Sequence, residues 1–524
     1  AAIGTAAGAG GGTVTLPAGT YLSFSIRLKS NITLHLEAGA TLLAATPAIG
    51  FGGYDPAEPN DWGDKLQYQD FGHSHWHNSL IWGEDLENIA ITGPGLIDGK
   101  GLARNASYQS SRGATGPDGT VARGESASVA LGADVGAGET PPPDLGNKAI
   151  GLKACRNVAL RDFSVLNGGH FALLATGVDG LAIENLHIDT NRDGLDIDGC
   201  RDVRITGCRV NSPNDDAIVL KSSYALGRPS PCDNITITHC TVSGFDVGTM
   251  LDGTFGRTTM HAPDRDGPTG RIKLGTESNG PFRNITIADC TFDRSRGLAI
   301  ESVDGAIIED ITIRNIAMRE LANPPVFICL GNRARGPEGT SVGAIRRVNI
   351  SGINADDADS RYSAVLIAGL PAHPIEDVTL ADIRVAARGR ITLEQVSQQP
   401  NELVNSFFLR NDEPGVTGPR DPFAVPLRER AYPEPSMFGL LPASAIYARH
   451  VRELSVRDAS IDFASPDDRP LVVLDNVGQA SFENFNASRP RGDAFVLRRV
   501  AHFDVVRCPG VADTHQDGVE NFKL

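Results

Sequence analysis

His170, Asp193 and Asp216 are evenly spaced along the chain, and Asp215 directly precedes Asp216. If the backbone repeats at that interval, these side chains share one column on successive repeats. Like charges held that close repel, so a fold keeps them only where some are protonated or engaged. Asp193 before glycine is by itself an ordinary turn signal. Four polar residues in one register, with Asp215-Asp216 set against the apolar run AIVL, point instead to a site. General acid–base catalysis uses such a set. One carboxyl with a raised pKa donates a proton to a leaving oxygen, and an ionised neighbour takes one from water. Glycoside hydrolysis requires both roles, and crowding separates the pKa values that provide them. No nucleophilic serine or cysteine competes, because GHFALL and GTMLDG lack a nucleophile elbow.

The elements that must carry these residues show in the repeats. RNVALRDFSV, GLAIENLHI, RDVRITGCRV, DNITITHCTV, RNITIADCTF, EDITIRNI, RRVNISGI and EDVTLADIRV share one alternating pattern. Their first apolar positions are Val158, Leu181, Val203, Ile235, Ile285, Ile311, Val348 and Val378, at successive steps of 23, 22, 32, 50, 26, 37 and 30. A unit of about 22–23 residues with strand alternation and no helical period is one coil of a parallel β-helix. The leucine-rich-repeat frame is absent. The longer steps are coils with loop insertions, so the fold class is an all-β parallel β-helix with long loops. Cys155, Cys200 and Cys232 lie three residues before the reference position, and Cys208, Cys240 and Cys290 five after it. They read as buried stacks, although a Cys200–Cys232 bridge lies within reach. Zinc is disfavoured because there is no C-x-x-C pair. The NIT triplets at 31, 234 and 284 read as ladder asparagines followed by a strand threonine.

The expected organisation is a single β-helix domain over 1–524, with capping coils over 1–50. A long loop is expected over 105–147, and a proline-rich excursion over 397–446 before strands resume to 524. The chain has 64 acidic and 48 basic residues, for a net charge of −16. That disfavours nucleic acid as a partner, which needs a basic face. Charged residues at 21% and hydrophobic residues at 40% exclude wholesale disorder. No 18-residue apolar run predicts a membrane span, and no basic-then-apolar leader opens the chain.

An acidic enzyme acting on an acidic sugar polymer needs local positive charge. Arg271-Ile272-Lys273 and Lys221 supply it, with Arg271 and Lys273 expected on the solvent face and Ile272 inward. Arg296 and Glu301 follow on the next coil, and Asp246, Asp252 and Glu277 lie near the same rim. The expected binding set is His170, Asn191, Lys221, Arg271, Lys273 and Glu301. No metal or cofactor is expected.

These residues resemble glycoside hydrolase family 28, the polygalacturonase and rhamnogalacturonan hydrolase family. That family carries N-T-D, D-D, G-H-G and R-I-K motifs on successive coils of a right-handed, pectin-lyase-like β-helix. Asn191-Arg192-Asp193 resembles the first, Asp215-Asp216 the second, and Arg271-Ile272-Lys273 matches the letters of the last. No G-H-G follows the Asp-Asp coil. By coil counting, GRIKLGTES occupies its place, and GLAIES at 297–302 occupies that of R-I-K. SHWHNSLIWGEDLENIAITGPGLIDGKG looks closer to bacterial members, including rhamnogalacturonan hydrolases and exo-acting enzymes. The resemblance implies inverting, single-displacement hydrolysis of a pectic polysaccharide. Asp215 would be the general acid, and Asp193 with Asp216 would hold and deprotonate the water. It also implies a secreted or periplasmic location, with the protein expected as a monomer. Two rivals remain. One is a pectate-lyase-like β-helix with calcium on Asp193, Asp196, Asp198, Asp215 and Asp216. The other is a non-catalytic carbohydrate-binding or adhesive β-helix.

Overall fold

The computed structural model describes residues 1–47, 52–66, 68–103, 144–258, 262, 266–404, 418–486, 488 and 492–524. Most of the loop expected over 105–147, and residues 405–417 of the proline-rich excursion, lie outside the described residues. The chain forms a right-handed parallel β-helix whose described residues divide into two compact units. One is Ala1–Ile272 with Asn279–Pro281; the other is Lys273–Ser278 with Phe282–Leu524.

In the first unit the coils stack through parallel strands. β1 (Ser79–Glu84), β2 (Lys148–Lys153), β3 (Phe171–Thr176), β4 (Asp193–Asp198) and β5 (Ile218–Ser222) form one face. The repeat register of the sequence is the register of the backbone. Val158 pairs with Leu181, Leu181 with Val203, and Val203 with Ile235. In the second unit Ile285 pairs with Ile311, Ile311 with Val348, and Val348 with Val378. Inserted residues bulge out as loops, because any shift by one residue would turn every interior side chain outward.

The column assigned to His170 needs correction. The partner of Asp193 is Phe171, not His170, and Leu173 pairs with Leu195 in the same register. The next coil is one position longer, with Leu195 opposite Ile218. A constant step therefore overshoots once.

Interior columns are aliphatic, and the eight cysteines are buried free thiols within them. At the turns, Asn31, Asn88 and Asn157 adopt φ values of 62, 55 and 54°. Asparagine tolerates this left-handed conformation better than most residues. Here two of the amides also donate to the preceding coil, Asn157 to Asn88 at 2.6 Å and Asn88 to Asn31 at 2.9 Å. Asn234 at φ 57° donates to Asp202 in the same way. The NIT triplets at 31 and 234 are thus ladder positions.

In the second unit the 3-10 turn Pro435–Phe438 carries part of the excursion inward. Met437, Phe438 and Leu441 are buried against Phe327, Tyr362 and Tyr447. The antiparallel strand Thr514–Lys523 pairs with Phe495–Val506. Among the described residues no helix is long and apolar enough to cross a membrane.

Charge follows the same registers. Glu87, Arg156, Asp179, Arg201 and Asp233 occupy one column of the first unit with alternating sign. Arg283, Glu309, Arg346 and Glu376 do so in the second. Parallel stacking sets like side chains above one another, so alternation replaces repulsion with attraction. Arg346 and Glu309 meet at 2.7 Å. Arg346→Glu would align three carboxylates. It is expected to lower the melting temperature by a few degrees, and the deficit should shrink as salt screens the column; thermal scans at two ionic strengths check this.

Candidate active site

Asp193 opens β4, and Asp215-Asp216 closes the turn leading into β5. The backbone N–H of Asp216 donates to Asp193 Oδ1 at 3.2 Å and to Asp215 Oδ1 at 3.0 Å. Oxygens of all three carboxylates lie within 4.8 Å of one another. Asp193 and Asp216 are 2 and 3% exposed, whereas the Asp215 side chain keeps 27%. Asp215 is therefore the member most open to a substrate.

Each acid has a cation. Arg271 Nε donates to Asp216 Oδ1 at 2.8 Å, and Arg192 Nη2 lies 2.7 Å from Asp215 Oδ2. Lys221 Nζ lies 2.9 Å from Asp196 Oδ2 and 3.5 Å from Asp193 Oδ2. The balance at Asp193 is incomplete. Burial, reinforced by the charge of Asp215, holds its pKa well above the usual carboxylate range even though Lys221 pulls the other way. Asp193 thus holds its proton to higher pH than an ordinary carboxylate.

His73, absent from the sequence reading, completes the arrangement. It lies on the short helix α1 (Phe71–Ser74), whose N-cap, Asp70, accepts from the His73 backbone N–H at 3.0 Å. His73 Nδ1 is 2.9 Å from Asp70 Oδ1, and Nε2 is 3.1 Å from Asp196 Oδ2. Lys221 Nζ stands 2.5 Å from the same Nε2. Burial opposes charge on His73, but Asp70 and Asp196 outweigh it and its pKa lies well above that of a free imidazole. The alternating histidines 73, 75 and 77 were the available signal, but nothing local places that segment against Asp196, which is far along the chain.

The other expected residues divide. His170 reaches the cluster sideways, with Nε2 3.6 Å from Asp70 Oδ2. Asn191 is buried and accepts from the Asn214 amide. Arg271 and Lys273 are not on a solvent face: both are 2% exposed because each meets an acid. The partner of Lys273 is Glu301 at 3.4 Å in the second unit, where Thr276 also donates to Glu301 at 3.0 Å. Arg296 is buried against Glu434 at 3.3 Å, and Glu277 lies 3.5 Å from Arg333. Asp246 and Asp252 accept from Thr258 and Thr254 within their own loop.

Among the described residues two sets have the spacing to hold a cation: His73 with Asp193 and Asp196, and Asp193 with Asp215 and Asp216. Side-chain cations already serve both. Lys221 contacts all three members of the first, and Arg192 and Arg271 hold two members of the second. The fifth acid of the calcium set, Asp198, is bound by the Ser223 hydroxyl and N–H at 2.6 and 2.7 Å, and burial lifts its pKa to about 6. The geometry therefore disfavours the calcium reading.

A family model described as a right-handed β-helix region matches residues 144–262. The exo-poly-alpha-D-galacturonosidase of Dickeya chrysanthemi is 25% identical over 222 residues, covering 39% of this chain and 36% of that protein. A probable polygalacturonase of Vitis vinifera is 23% identical over 396 residues, 72% of this chain and 67% of that one. The chain is similar to the polygalacturonases. The family 28 exopolygalacturonase of Yersinia enterocolitica shares its fold, with a TM-score of 0.55 at 16% identity over 96% of this chain and 73% of that one. The match to the Dickeya protein spans about a third of that relative's length.

The raised pKa of Asp193 has a consequence for stability. The unfolded chain releases this proton near 3.8 and the folded chain only well above it. Asp193 therefore costs stability as pH rises past 3.8, and that cost is absent below it. Asp193→Asn is expected to raise the melting temperature at pH 7, with the gain vanishing in acid; paired melts of both proteins across pH check the sign.

Proposed function

We propose that this chain is a glycoside hydrolase that cleaves galacturonic-acid-containing pectic polysaccharide, polygalacturonan or rhamnogalacturonan, by inverting single displacement. The observation that supports it is the convergence of Asp193, Asp215 and Asp216, with the pKa of buried Asp193 raised and Asp215 and Asp216 each held against an arginine. Asp215, the open member, donates the proton to the leaving oxygen. Asp216, paired with Arg271, and Asp193 hold the attacking water and take its proton. Arg192 pairs with Asp215 at 2.7 Å in the free chain. Moving that guanidinium onto a substrate carboxylate leaves Asp215 to take up a proton from solvent, which couples recognition of a uronate to readiness for the acid step. Lys221, braced by His73 and Asp196, limits how far the pKa of Asp193 rises. A polymeric substrate implies action outside the cytoplasm, as a secreted or periplasmic enzyme.

Asp215→Asn is expected to cut turnover by about 100-fold or more, the usual worth of a general acid, while the melting temperature holds. Reducing-end release from a panel of pectic polymers and oligomers, with product anomers followed by NMR, measures this and separates the two polymers. Near-normal hydrolysis by that variant, or an unsaturated product, overturns the reading. Lys221→Met removes the charge that lowers the Asp193 pKa. The acid limb of the kcat/KM profile should therefore move to higher pH, as pH–rate curves for the two proteins would show.

A further inference from the structure

We propose that the first unit carries a second saccharide site, which holds an acidic sugar by its carboxylate at the far ends of β3 and β4. The saccharide class rests on the hydrolase reading above; the carboxylate chemistry does not. A cavity of about 220 Å3 lies there, lined among others by Arg156, Arg201, Arg228, Asp179 and Ser230. Gly199, which follows β4, also lines it, so the cavity is one strand length, about 20 Å, from Asp193.

Three observations point to an anionic ligand. Arg156 lies 3.5 Å from Glu87, but Arg201 and Arg228 make no ion pair or side-chain hydrogen bond among the described residues. Although Arg201 stacks between Asp179 and Asp233, the hollow gathers three arginines against one lining carboxylate, which is unexpected in a chain of net charge −16. Their planar forks suit a carboxylate's two oxygens. The alternating column accounts for Arg156, Asp179 and Arg201 as register neighbours, yet Arg228 comes from the loop after β5 and has no place in it. Finally, Ser230 is 4% exposed and its hydroxyl has no hydrogen-bond partner among the described residues. A buried polar group left this way is costly, and a ligand oxygen would satisfy it. Gly199 keeps the floor open, since a Cβ there would come within 2.7 Å of the Ser230 Cβ. The volume admits about one sugar ring, which suits a terminal or branch residue of a longer chain.

The test is calorimetric titration of the whole chain at low salt with galacturonate, with galactose and with sulfate. The wild type, Arg201→Ala/Arg228→Ala and Arg201→Lys/Arg228→Lys are compared. In the wild type we expect a class of galacturonate sites that weakens at least tenfold in the alanine variant and less in the lysine one, with no galactose binding. Turnover of short substrates should be unchanged in both variants. Unchanged galacturonate binding in the alanine variant overturns the site. Sulfate binding as tightly as galacturonate, and displacing it, reduces the site to a general anion pocket and overturns the saccharide assignment. Galactose binding equal to galacturonate overturns carboxylate recognition. If no protein in the set turns over substrate, the hydrolase reading fails while the binding comparison still reports on this site. Should the double variant melt early, Arg228→Ala alone, on an exposed loop, gives the same comparison.

Discussion

Parallel pairing between successive coils is the constraint on which everything else in this protein depends. It places residues one coil apart directly over each other, only about 4.8 Å away. A stacked column multiplies whatever chemistry it contains. Aliphatic columns make a continuous core, asparagine columns make hydrogen-bonded ladders, and carboxylate columns would make repulsion. The chain answers that last tendency in two ways. Along the column from Glu87 to Asp233 it alternates sign. Around Asp193 and Asp216 it lets the acids crowd and brings cations to them from elsewhere.

Those cations come from different depths of the fold. Lys221 and Arg271 follow the acids within the coils themselves, whereas Arg192 is part of the same turn as Asp193. His73 arrives on a short helix far earlier in the chain, capped by Asp70. The neutralisation is arranged to fall short at Asp193, where burial and Asp215 outweigh Lys221. A fully compensated cluster would carry no proton to give, and an uncompensated one would not stay buried. Acid–base chemistry occupies the range between.

The loops do the work that the coils cannot. A coil of fixed length repeats its backbone but has few ways to introduce a new group beside an old one. The segment over 60–77 brings His73 to Asp196 and Trp76 to Thr176, at 3.1 and 3.0 Å. The loop after β5 brings Tyr224 against Trp62, with ring centres 5.1 Å apart, and Arg228 into the arginine-lined hollow. Each insertion leaves the aliphatic registers beneath it intact, so chemistry can be added on one side of the coil without disturbing the core.

Repetition was legible from the amino-acid order alone. Strand alternation, the coil length, the cysteine stacks, the ladder asparagines and the meeting of Asp193 with Asp215-Asp216 all follow from local pattern and count, because each repeat obeys the same short-range rules. Three things did not. The slip that puts Phe171 rather than His170 opposite Asp193 depends on one coil being a position shorter than the next. The burial of Arg271 and Lys273 depends on acids that only pairing in space supplies. His73 depends on a helix packed across the strands, remote in sequence from Asp196. Periodicity records what a residue's neighbours along the chain require; which charge ends beside which is decided by how coils and insertions close over one another, and no local pattern encodes that.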